Sequence, residues 1–80
     1  MITAGQLRAA RGLLGWTQQD LANAAGLGVS TVKRMEASTG VVRGNTGNVW
    51  KVEQALHAAG VEFIDEGNGG AGVRWKKAKS

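Results

Sequence analysis

The side chains best suited to chemistry lie between Gln18 and Glu36, where two short runs of helical spacing are joined by Gly26-Leu27-Gly28. The second run buries Val32 and Met35 and turns Val29, Ser30, Lys33 and Arg34 outward, with Thr31 beside them. These are residues for recognition rather than for bond-making. Arg34 or Lys33 can give a paired contact to guanine O6 and N7, Val29 can touch a thymine methyl, and Ser30 can bond several partners. Gln18 opens the first run, where its amide and an unpaired backbone N–H can meet a phosphate. A solvated charged helix face is the alternative reading of the second run taken alone.

Other chemistries find little support. No base stands beside a nucleophile, and there is no phosphate loop and no metal-ligand cluster, so neither enzymatic activity nor a metal or other cofactor is expected. His57 is the one histidine, with no Cys, Asp or second His at ligand spacing. The chain has no cysteine, which excludes a disulfide framework and a thiolate metal site. Eighty residues fit one domain. A chain of that size buries only about 60% of its unfolded surface, so oligomerisation is a plausible support. No apolar run is long enough to span a membrane and the N-terminus lacks signal-peptide features, so a cytoplasmic place is expected. Ten Lys and Arg against six Asp and Glu give a formal net charge of +4, which suits a polyanion partner.

Four helical segments must position these residues. Thr3-Ala4-Gly5-Gln6 has the spacing of a capping box, and helix one then runs to about Gly15. Leu7, Ala10 and Leu14 form its inner stripe with Leu13 flanking, and Gly12 inside it should cost up to about 1 kcal/mol against alanine. Trp16, in the link, reads as a plug over the end of the core. Helix two runs from about Gln18 to Ala25, capped by Thr17, with Asp20 at its positive end, Leu21, Ala22 and Ala25 inward, and Gly26 as terminator. Helix three spans about Gly28 to Ala37. Residues 38–44 form a loop, and Asn45 or Thr46 caps helix four, which extends to about Ala59. Val49, Val52 and Leu56 face the core there, while Trp50, Gln54 and His57 fall on a different side. Trp50 either packs at the core's border or covers a partner or the C-terminal segment. Helices two and three, joined by a glycine turn, have the helix-turn-helix arrangement, whose second helix enters the DNA major groove.

The period then changes. Residues 61–66 and 72–76 are short, partly alternating runs around a glycine-rich turn, which predicts a β-hairpin with Val73 and Trp75 on one face and Arg74 and Lys76 on the other. A lone hairpin is marginal in water, so it must pack on the helices or pair with another chain. Its exposed edge makes Phe63, Ile64, Val73 and Trp75 candidates for a dimer contact; the alternative is that Phe63 and Trp75 lid the core of their own chain. The basic tail over 76–80 is a solvated end that could also lean on phosphate.

Gln18, Leu21, Ala22, Ala25, Gly26, Leu27, Val32, Met35 and Glu36 together resemble the Cro/repressor-type (XRE family) helix-turn-helix over roughly residues 6 to 60. The resemblance implies a mainly α fold. Residues 1–60 would form a four-helix lambda-repressor-like helix-turn-helix domain with its recognition helix at about 28–37, followed by a β-hairpin and basic tail over 61–80. Gly28 stands where the family usually has serine or threonine. Carried over to this chain, Gln18 contacts the DNA backbone beside the recognition helix. Arg43, Asn45, Thr46 and Asn48, around the start of helix four, match positions that clamp the opposite strand's phosphates; Asn45 or Thr46 can cap the helix as well. Arg11 lies on the border of helix one's inner face, where an unpaired charge would be costly. It matches an arginine that pairs with the glutamate ending the recognition helix, here Glu36. The pair is a structural ion pair, or else two solvated side chains that never meet.

The expected function is sequence-specific regulation of transcription through double-stranded DNA, at the nucleoid. Repression is favoured over activation, because steric block needs only binding. Two-fold pairing would set two recognition helices about 34 Å apart on a pseudo-palindromic site, so a homodimer is expected. The alternatives are a DNA-binding antitoxin or an adaptor that also holds a partner protein, and a non-specific architectural DNA binder.

Overall fold

The computed structural model describes residues 2–38, 40, 42, 46–65 and 70–76. Within them the chain forms α1 (Ala4–Leu14), α2 (Gln18–Ala25), α3 (Val29–Glu36) and α4 (Thr46–Ala58), then β1 (Val61–Ile64) and β2 (Gly72–Trp75). Local chemistry sets most of these boundaries. The Thr3 hydroxyl accepts from the Gln6 N–H at 3.0 Å while the Gln6 amide oxygen accepts from the Thr3 N–H at 2.8 Å. Thr17 and Asp20 repeat that reciprocal box at the head of α2, at 3.0 and 2.9 Å, so Asp20 closes a cap as well as complementing the helix dipole. α2 ends on Gly26 at φ 71°, the left-handed conformation that glycine adopts without a Cβ penalty. α3 starts from Gly28 with no side-chain cap. Thr46 is the first residue of α4 itself rather than its cap, and Asn45 lies outside the described residues.

The core draws on every element. Leu7 and Ala10 from α1, Leu21 and Ala22 from α2, Val32 and Met35 from α3, and Val49, Val52 and Leu56 from α4 are buried together, with Leu14 and Trp16 packed partly against them. Ala22 has no accessible surface, so a small residue there lets the α2 backbone approach its neighbours. Leu13, on the flank of the α1 stripe, is exposed. Ile2 precedes the first helical pattern and Val42 falls in the expected loop over 38–44, yet both are buried. The reason is a pair of backbone bonds: Ala4 N–H donates to the Gly40 carbonyl and Val42 N–H to the Ile2 carbonyl, both at 2.9 Å. This stitch draws the start of the chain across the α3–α4 connection and turns two unpatterned apolar residues inward.

β1 and β2 pair antiparallel with Val61 opposite Trp75 and Phe63 opposite Val73. Side chains directly opposite share a face, so these four point the same way. Val61 is fully buried in the helical core, and Phe63 and Val73 pack against it. On the outer face Arg74 reaches Glu62 at 2.9 Å. The hairpin lies over α1 and α4 and is tied down at one end by Gln6. That side chain, 5% exposed, donates from Nε2 to the Ile64 and Gly72 carbonyls at 3.0 and 2.9 Å. At the other end Lys76 N–H donates to the Gly60 carbonyl at 2.8 Å.

Candidate nucleic-acid interface

α3 is an eight-residue helix fixed from beneath by Val32 and Met35 and at its end by Glu36, all buried. Its other side carries Ser30, Lys33 and Arg34, which are exposed, and Thr31, which is half-buried. Val29 differs from the expectation of an outward residue. It stands at the first helical position and is half-buried against the core, so only part of its side chain faces out. Lys33 and Arg34 fall in the last turn, where positive charge also complements the helix dipole.

Gln18 opens α2, and Glu36 closes α3. The two ends meet. Gln18 Nε2 donates to Glu36 Oε1 at 3.1 Å. Arg11 approaches the same carboxylate side-on, from Nε to Oε2 at 2.6 Å and from Nη2 to Oε1 at 2.8 Å. Its Nη1 donates to the Trp16 carbonyl at 3.0 Å, which joins the α1–α2 link to the cluster. The Glu36 side chain is 4% exposed and that of Arg11 21%. Hydrogen bonding to Glu36, together with its charge, holds the Arg11 guanidinium above its usual pKa against the opposing effect of burial. Arg8, one turn before Arg11, donates from Nη1 to the Glu36 carbonyl at 2.7 Å and so binds an end group of α3 that lacks an intrahelical donor.

At the head of α2 the capping box takes the N–H groups of Thr17 and Asp20. Those of Gln18 and Gln19 have no intrahelical acceptor, as at any helix start, which suits an anion. α2 packs on both α3 and α4. At the start of α4, Thr46 is exposed and Asn48 half-buried; Arg43 and Asn45 lie outside the described residues. Of the hairpin candidates, Phe63 and Val73 pack on their own core, Ile64 is half-buried, and Trp75 is 49% exposed.

Two roles have little or no signature in the sequence. Gln6 shows there only as a cap, and its bonds to the hairpin have no local signal because the partners lie 58 and 66 residues away. The other is the bond from Arg8 to the end of α3. The spacing of Arg8 from Arg11, three residues on one helix face, is the available signal.

A helix-turn-helix family model matches residues 7–57. No curated protein matches the chain. Among the described residues no helix is long and apolar enough to cross a membrane. The matched span runs from Leu7 within α1 to all but the last residue of α4, well over half of the chain. The protein belongs to the helix-turn-helix family of the Cro/repressor (XRE) type, a family of DNA-binding transcriptional regulators.

Proposed function

We propose that the protein binds double-stranded DNA in a sequence-specific way as a homodimer, with α3 of each copy in the major groove of one half of a pseudo-palindromic operator, and that it represses by occupying that site. The observation that carries this reading is the polar edge of α3. Ser30, Lys33 and Arg34 are exposed on a helix whose opposite side and C-terminal end are buried and bonded. Base edges would be read by Arg34 and Lys33, with Ser30, Thr31 and the exposed part of Val29 completing the contact. Phosphates would be held by Gln18 on one side and by Arg43, Asn45, Thr46 and Asn48 on the other. Genome-wide mapping of bound sites, followed by a footprint on the strongest, supplies the operator. On that operator Arg34→Ala relaxes preference at one base pair by about 1–3 kcal/mol, whereas Arg43→Ala weakens all sequences alike. Equal losses on specific and random DNA for both variants would reverse the assignment.

Pairing of two copies would fall to the hairpin within the segment 61–80. Three of its four inner-face residues, Val61, Phe63 and Val73, pack on their own chain, and its strand edges carry backbone groups suited to a second strand. Exposed Trp75 and half-buried Ile64 are its two dimer candidates outside the core cluster. A second reading, an adaptor or antitoxin that holds a partner protein, is favoured by one observation: Trp50 on α4 is 60% exposed and Trp75 49%. Sedimentation of the purified protein separates the two. A stable dimer fits the first reading, and a monomer that binds DNA only with its partner fits the second.

A further inference from the structure

We propose that Glu36 is a positioning residue for the DNA-backbone contact of Gln18, so that one carboxylate fixes the element that grips phosphate relative to the helix that reads bases. The inference rests on the phosphate reading of Gln18 given above. Glu36 is the last residue of α3, Gln18 the first of α2, and Arg11 lies in the last turn of α1. The carboxylate therefore ties three helices at one point, with Oε1 shared between Gln18 Nε2 at 3.1 Å and Arg11 Nη2 at 2.8 Å.

Three physical points carry the assignment. The first concerns which way the amide faces. An ionised carboxylate only accepts, so the Gln18 amide must present nitrogen to it, and no flipped arrangement satisfies the bond. Glu36 takes one of the two N–H groups, and a planar amide then has its second N–H set in direction. The second point concerns order. An unrestrained glutamine at a helix start samples many rotamers, and fixing it at the moment of binding opposes affinity by about 0.5–1.5 kcal/mol. Here the restraint is already present in the unbound chain. The third point concerns charge. A bare carboxylate beside the head of α2 would repel a phosphate. The Arg11 fork neutralises it within bonding distance, so the amide stays oriented while the approach of an anion is not opposed.

A double-mutant cycle tests the proposal, because coupled residues are non-additive and independent ones are additive. Binding of a labelled mixed-sequence duplex suffices as the probe, since a backbone contact does not depend on sequence. Gln18→Ala, Glu36→Ala and the double variant are compared with the wild type at a temperature where circular dichroism shows all four folded. If Glu36→Ala does not fold, Arg11→Met with Glu36→Leu replaces it, since apolar replacement of a buried ion pair is often neutral or stabilising. Each single change should weaken binding about tenfold, the loss of one hydrogen bond to a charged group, and the combination should lose little more. In NMR spectra the Gln18 side-chain amide protons should move to exposed-glutamine positions when Glu36 is replaced. Additive losses, or wild-type binding by a folded Glu36 variant, would overturn the positioning role. Wild-type binding by Gln18→Ala would overturn the phosphate reading itself, and the proposal with it.

Discussion

At Arg11 and Glu36 the two partners of one ion pair have unequal surroundings. The Glu36 side chain is almost fully buried, while Arg11 keeps about a fifth of its surface in water and holds the Trp16 carbonyl besides. Arg11→Ala therefore strands a buried carboxylate, for which about 3–5 kcal/mol of lost stability is expected. Glu36→Ala should cost less, because the guanidinium left behind can hydrate and keeps an acceptor. Urea unfolding midpoints measure the difference, and an equal or reversed order would mean that water reaches the carboxylate. The pKa of Arg11 is raised on folding. The stabilisation linked to a raised pKa is fully present below the unfolded value and is lost only as pH climbs through the folded one. Alkaline titration across the neutral range should thus leave the arginine side of this pair intact, which thermal melts at neutral and mildly basic pH will check. An arginine on an inner-face border demands a partner, but that the partner is Glu36 follows only from the family resemblance. The third member of the cluster, Gln18, reads from the sequence as a phosphate contact and not as a partner of Glu36, since nothing in helical spacing says that the head of one helix meets the tail of the next.

At the scale of single elements, local signals carried furthest. α1 and α2 start at threonines whose hydroxyls accept the N–H three residues on, and both end on left-handed glycines. Those bonds are made within one turn, so the residues alone specify them. At the start of α4, Thr46, one of the two expected caps, is the first helical residue, and the other, Asn45, lies outside the described residues. Gly12 and Gly15 give a contrast of sign. Gly12 is helical and exposed, with open space where a Cβ would stand, whereas Gly15 sits at φ 69°. Gly12→Ala should raise stability by about 0.5–1 kcal/mol and Gly15→Ala should lower it by a similar amount or more. Denaturant unfolding of the two variants reads this directly. Gly28 caps α3 without a side chain at φ −75°, a conformation open to any residue. Gly28→Ser should add a few tenths of a kcal/mol to stability. If helix three binds as proposed, the serine hydroxyl also tightens binding to all duplexes alike, which titration of mixed-sequence DNA will show.

For the molecule as a whole, the least legible feature was how the hairpin is held. The partial alternation over 61–66 and 72–76 announces two strands, observed as 61–64 and 72–75, yet the residue that anchors them, Gln6, belongs to the first turn of α1. Ile2 and Val42 were hidden for the same reason, because a long-range backbone stitch rather than periodicity buries them. Gln6→Ala removes the donor from two carbonyls and empties a buried position. A loss of about 1–3 kcal/mol is expected, concentrated in the hairpin. Hydrogen exchange should speed up in β1 and β2 before it does so in α2 and α3; uniform acceleration would mean that helices and hairpin open as one unit.

The Gln6 anchor has a consequence for how the chain is made. Synthesis delivers α1 well before β2, and domains begin to organise from the N-terminal side as they emerge. Until Gly72 has left the ribosome, the Gln6 amide lacks one of its two hairpin acceptors. The four helices can gather earlier, but the first turn of α1 is completed only once β2 has been translated. A nascent chain stalled before β2 should therefore protect α2 and α3 from protease while leaving the N-terminal turn open to cleavage.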